Sequence, residues 1–214
     1  HGGRYAYGNQ PHIARWNLAR LAEALLPLMA EEDDESAVQR AVAQVTEVID
    51  VFPALFDAAL RRGQRAKLGL VTEQTDDAAL ADDFLALLQA QAVDFTRAWR
   101  RLADAADGDA NPLRALFADA APLDAWLARW QARCAQEADS GRAARLRAAN
   151  PWVIPRNHRV EEALAAASEH DDLAPFERLL AALRRPFDEE PAVARYAEPA
   201  PPQLAAGYQT FCGT

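Results

Sequence analysis

Apolar residues recur at intervals of three and four along most of the chain, and adjacent β-branched residues are rare. Leu18, Leu21, Leu25 and Leu28 predict an amphipathic helix of about five turns, with Pro11 at a first helical position. Val38, Val42, Val45, Ile49, Phe52, Phe56 and Leu60 form the most regular stripe. Ser36 reads as its N-cap, Pro53 as a kink or restart, and Gly63 as its stop. Residues 63–75 then form a connector holding Lys67-Leu68-Gly69-Leu70. Further stripes run through Leu80, Phe84 and Leu87, through Phe95, Trp99 and Leu102, and through Leu123, Trp126, Trp130 and Cys134. Asp107–Pro112 is a turn, Leu113–Phe117 a short helix, and Ser140-Gly141 a break. Pro151 and Pro155 force an extended stretch before two short helices around Val160–Ala167 and Leu173–Leu183. The expected fold is all-α: a helical body over 1–195, with no composition shift that marks a domain boundary within it, and a proline-rich tail over 196–214.

Composition strengthens the helical reading, since about a quarter of the 214 residues are alanine, the best helix former. The net charge of −9 argues against a nucleic-acid partner, which needs a concentrated basic face. No run approaches the ~18 apolar residues of a membrane span, and no signal peptide opens the chain. Two cysteines, Cys134 and Cys212, are too few for a disulfide scaffold and fit a reducing compartment. The chain holds one methionine, Met29, one lysine, Lys67, and begins His1-Gly2-Gly3. The expectation is a processed chain or a piece of something longer.

Most candidate chemistry has a plainer structural reading. No glycine loop matches a phosphate-cradling pattern, and no CxxC, HExxH or paired histidines suggest a metal site. His170-Asp171-Asp172 resembles the His-Asp step of metal-dependent phosphohydrolases, but an aspartate capping the next helix explains it more simply. Arg61, Arg62, Arg65 and Lys67 could form a patch for phosphate or an acidic partner, but cations that offset the negative end of a helix dipole explain them more simply. Trp126 and Trp130, one turn apart and in phase with Leu123, belong to the core, and Cys134 continues their stripe as a buried thiol. Cys212, three residues from the end, is the candidate redox thiol. Arg4, Tyr5, Tyr7, Asn9 and Gln10 form a polar-aromatic opening suited to ordering a loop before the first helix.

Taken in order, several words resemble the selenoprotein O family. The most specific is Gly3-Arg4-Tyr5-Ala6-Tyr7-Gly8-Asn9-Gln10-Pro11, followed by Trp16-Asn17-Leu18 and Leu21-Ala22-Glu23-Ala24-Leu25. Lys67-Leu68-Gly69-Leu70, Asp94-Phe95-Thr96 with Arg100, Asn150-Pro151 with Arg156-Asn157, Pro186-Phe187, Pro201-Pro202 and Cys212 follow in the right order. The resemblance runs from residue 3 to 214. Ile154-Pro155 departs from the usual Leu before Arg-Asn, and Gly213-Thr214 from the usual Ser-Ser ending.

The resemblance implies a protein-kinase-like fold that transfers AMP from ATP to hydroxyl side chains of proteins, with Mg or Mn. It implies that residues 11–30 are a helix of the kinase-like C-lobe and that the rest is a family-specific helical extension. The family's nucleotide-binding, metal-binding and catalytic residues precede its Arg-Tyr word, so they are expected upstream of His1, with none in this chain. The resemblance also makes Cys212 the redox position, its partner cysteine expected before His1. The implied partners are the missing N-terminal catalytic half and the protein substrates, in a bacterial cytoplasm. A chain lacking that half should bind no ATP or metal and transfer no AMP. The other reading is a stand-alone, non-catalytic helical interaction module.

Overall fold

The computed structural model describes residues 6–30, 34–138 and 140–208. Every regular element among them is helical. The chain divides into two compact units, residues 1–63 and 64–214, a boundary that the composition does not mark.

The first unit opens with a 3-10 turn at Tyr7–Asn9 and α1 (Gln10–Met29), which Pro11 starts because its missing N–H costs nothing in a first turn. α2 (Glu35–Asp50) packs antiparallel to α1 as a hairpin. Its N-cap is Asp34 rather than Ser36: the Asp34 carboxylate accepts from the backbone N–H of Ser36 and Ala37, both at 3.0 Å. A bond from the Ser36 hydroxyl, with these two from the backbone, holds the Asp34 carboxyl below its ordinary pKa. Val51 breaks the stripe and α3 (Phe52–Leu68) restarts it, with Pro53 in its first turn. α3 does not stop at Gly63. It ends at Gly69, whose φ of +71° turns the chain so that Leu70 N–H reaches Arg65 O at 3.0 Å. A Cβ there would lie 2.8 Å from Leu146 Cγ, so the tight approach of the chain also demands glycine. Lys67 therefore sits in the last turn of a helix, not in a connector.

The second unit continues with α4 (Asp77–Ala90), α5 (Phe95–Ala106), the short α6 (Asn111–Arg114), α7 (Ala121–Cys134) and α8 (Arg142–Ala149). α4 packs on α7, and α5 on α6 and α8. Their shared core is aromatic. Phe84 meets Trp99 edge-on, centroids 4.9 Å apart, and stacks on Trp126 at 4.4 Å. The two buried indoles on α7 are satisfied through backbone: Trp126 Nε1 donates to Leu80 O at 2.9 Å and Trp130 Nε1 to Leu68 O at 3.0 Å. Cys134 is buried below them. After an extended loop come α9 (Asn157–His170), α10 (Ala174–Leu183), α11 (Ala194–Ala197) and α12 (Pro202–Gly207). α9 and α10 pair over a smaller core of Trp152, Val153, Ala163, Leu179, Ala182 and Tyr196. Asp171 ends α9 in the left-handed conformation, and Asp172 accepts from Ala174 N–H at 2.9 Å, so this pair caps helices. The stretch from Tyr196, read as irregular, holds α12 because Pro202 opens a helix instead of only breaking one.

Candidate functional site

The extended loop between α8 and α9 carries Asn150, which is fully buried. Its side chain is used at both ends. Oδ1 accepts from Lys67 Nζ and Nδ2 donates to Lys67 O, each at 3.1 Å. Its backbone O accepts from Arg100 Nη1 at 3.1 Å, and the same nitrogen donates to Arg147 O at 2.9 Å. Lys67 Nζ also lies 5.4 and 5.6 Å from the ring centroids of Phe95 and Trp99. Burial pushes the Lys67 ammonium below its ordinary pKa. One amide thus ties the end of α3, the middle of α5 and the loop together.

The other end of the loop is fixed by Arg156. Its guanidinium grips Asp94 bidentately, Nη1 at 2.5 Å and Nη2 at 2.9 Å, and donates to Ala197 O at 3.0 Å. Asp94 also caps α5 by accepting from Arg97 N–H at 2.9 Å. Burial works to raise the Asp94 pKa, but the Arg156 and Arg97 bonds outweigh it and leave the carboxyl below its usual range. Beyond Arg156 lies a cavity of about 610 Å³ lined by Ile154, Arg156, His158, Glu161, Leu204 and Tyr208. Burial, with the neighbouring charges of Arg159 and Arg156, holds the His158 imidazole below its ordinary pKa. Tyr208 Oη donates to Glu161 at 3.2 Å.

A second polar group, missed from the sequence, straps the segment after α3 to the end of α7. Arg133 Nε donates to Asp77 Oδ1 at 2.7 Å, Nη2 to Thr72 O at 2.9 Å, and Nη1 to Glu137 Oε1 at 3.1 Å. Glu137 also accepts from Thr72 N–H and the Thr72 hydroxyl, at 2.9 and 2.6 Å. Burial alone would raise the Glu137 pKa, but the Thr72 and Val71 donors and Arg133 bring it from 4.5 down to about 2. Arg133 and Asp77 lie 56 positions apart, so no local spacing betrays the pair.

The family model described as protein adenylyltransferase SelO matches residues 1–184. This chain belongs to the SelO family. Its relatives include the protein nucleotidyltransferase YdiU of Chromobacterium violaceum, 51% identical over 216 residues that take in all of this chain and 44% of the relative. The YdiU proteins of Methylorubrum extorquens and Bradyrhizobium sp. are 48% and 49% identical, over 99% of this chain and 44% and 43% of their own lengths. The chain spans less than half the length of these curated relatives.

The words that carried the SelO resemblance between residues 67 and 157 are the ones that meet in space. Lys67, Asp94, Phe95, Arg100, Asn150 and Arg156 all belong to the two linked clusters around the loop. Nothing in their separate spacings predicted that meeting. The opening word fares differently. Arg4 and Tyr5 lie outside the described residues, as does Cys212. Asn9 and Gln10 are exposed at the start of α1, and Asn9 N–H donates to Ala6 O at 2.9 Å, which closes the turn before the helix. Of the basic group at the end of α3, Arg65 pairs with Glu73 at 2.7 Å and Lys67 turns to Asn150. No helix of the described residues is long and apolar enough to cross a membrane.

Proposed function

We propose that this chain is the C-terminal part of a bacterial, cytoplasmic protein adenylyltransferase whose nucleotide, metal and catalytic residues lie in sequence preceding it. The complete protein transfers AMP from ATP to serine, threonine or tyrosine hydroxyls of other proteins, and its α1 belongs to the C-lobe of a kinase-like fold. The observation that carries this reading is the match to the adenylyltransferase family over residues 1–184 by a chain that covers only 44% of a relative.

The chemistry of the site supports the division of labour. A nucleotide with its divalent ion needs cations and carboxylates free to face phosphate and metal. Here the one ammonium is engaged by Asn150 and two ring faces, Arg156 is clamped to Asp94, and Arg100 donates to two carbonyls. These residues do not fit ATP or Mg; they fit a brace. Their work is to fix the loop 150–156 against α3 and α5, giving the catalytic half a rigid base. Titration calorimetry with ATP and Mg on the 214-residue chain should show no binding heat. Stoichiometric, tight binding would overturn the placement of the nucleotide site outside the chain.

A further inference from the structure

The face of the first unit that α1 and α2 present has no core beneath it. Not one residue of α1 is buried, although its leucine stripe is regular, and in α2 only Ala41 is. Leu21 is 56% exposed, Leu25 42%, Met29 45% and Val48 74%. These side chains, with Val45 and Phe52, line a groove of about 570 Å³ along the hairpin. Soluble surfaces rarely leave so continuous an apolar strip uncovered. The exposed apolar residues of the second unit, such as Val71, Leu164 and Leu173, come from separate elements.

We propose that this groove seats an amphipathic helix from the part of the family's polypeptide that lies outside this chain. The inference rests on the reading of the chain as part of a longer adenylyltransferase. Three features choose this occupant. The matched relatives are more than twice as long as the part this chain covers, so ample chain exists to fill the groove. The groove runs from Leu18 to Met29, about 17 Å or three helical turns at ~1.5 Å per residue, which suits a helix offering anchors at i, i+3 or i+4, and i+7. Its lining holds a single polar side chain, Gln44. The charges nearby, Arg15 with Asp50 and Arg20 with Glu23, already neutralise one another. A strongly acidic or basic partner would find no complement there, whereas an apolar helix face would.

Hydrogen exchange of backbone amides tests this, measured on the 214-residue chain alone and on the same chain continuous with the rest of its polypeptide. Amides of residues 18–29 and 45–55 should exchange at least a hundredfold more slowly in the longer polypeptide, while those of α5 and α7 stay protected in both. A Leu25→Glu, Val48→Glu double variant should abolish that gain, and Leu173→Glu, a control at an exposed apolar residue of the second unit, should leave it intact. Equal exchange in the two polypeptides overturns the proposal. So does slow exchange in the 214-residue chain alone, whether it sediments as a dimer that the glutamates dissociate, the mark of a second copy in the groove, or as a monomer. Neither ATP nor transfer enters this readout. A longer polypeptide that protects the groove but transfers no AMP sinks only the functional reading, and one that transfers AMP with the groove unprotected sinks only the docking.

Discussion

The two units are built from the same material and end in different states. Both are runs of alanine-rich helix with leucine and aromatic stripes. In residues 64–214 those stripes converge: Trp99 and Trp130 are 1% exposed, and Phe84, Leu102, Leu123 and Leu146 are fully buried. In the described part of residues 1–63 the stripes are just as regular and bury only Ala41. Amphipathicity says which side of a helix is apolar, not what will cover it. A core needs a third and fourth surface, and the second unit has them in α4, α5, α7 and α8, while the hairpin of α1 and α2 leaves its apolar groove open.

The sharpest way to break this contrast is truncation of a large side chain in each unit. Trp130→Ala should cost about 3–5 kcal/mol by opening a cavity and leaving Leu68 O without its donor. Leu25→Ala, already 42% exposed, should stay within about 0.5 kcal/mol. Urea denaturation of the two variants against the parent chain compares them directly, and similar losses would mean that α1 is covered in solution.

Next in size is the buried strap. Arg133→Met leaves the buried Asp77 without its cation, and Glu137 with Arg142 alone, and should cost about 3 kcal/mol near neutral pH in the same urea experiment. The strap also sets an acid limit. Glu137 titrates lower in the folded chain than its ordinary 4.5, so the folded state gains from its ionisation at pH values above about 4.5. That gain is lost as pH falls from about 4.5 towards 2, where the folded state must also take up the proton. Urea midpoints measured across this window should fall steeply for the parent chain and less steeply for Glu137→Gln.

The smallest effect belongs to the first unit, where local signals carry more of the helix. Asp34→Ala removes the cap of α2 and should lower the helix content of the first unit slightly. Far-ultraviolet circular dichroism during melting should show this loss in an early, low-cooperativity phase, with the main transition of the second unit unmoved.

Helix content, the place of Trp126 and Trp130, the restart at Pro53 and the break at Ser140-Gly141 were legible because each follows from a local rule of periodicity or backbone geometry. The stop at Gly63 was not. Glycine inside a helix costs only about 1 kcal/mol, and the turn that ends α3 needs a positive φ beside Leu146, a residue 77 positions away. Ser36 lost the cap to Asp34, which sits close enough for its carboxylate to reach two N–H groups. The candidate site divides the same way. Residues of the first cluster could be named from family words, whereas Arg133, Asp77 and Glu137 could not; in both, the pairing of Lys67 with Asn150 and of Arg133 with Asp77 joins distant points of the chain, and no one-dimensional spacing encodes it.

The Asn150 contact has a consequence for how the chain is made. Lys67 and Asn150 are 83 residues apart. At a synthesis rate of about 5–20 residues per second, the lysine emerges roughly 4–17 s before the amide that will hold it. During that interval α1 and α2 can already pair, since their contacts close a short loop, and Trp130 can reach Leu68 O, but the Lys67 ammonium still lacks its amide partner. Closure of the Lys67–Asn150 contact therefore waits on the arrival of one buried amide, and the timing of translation, not the speed of helix formation, sets when it can form.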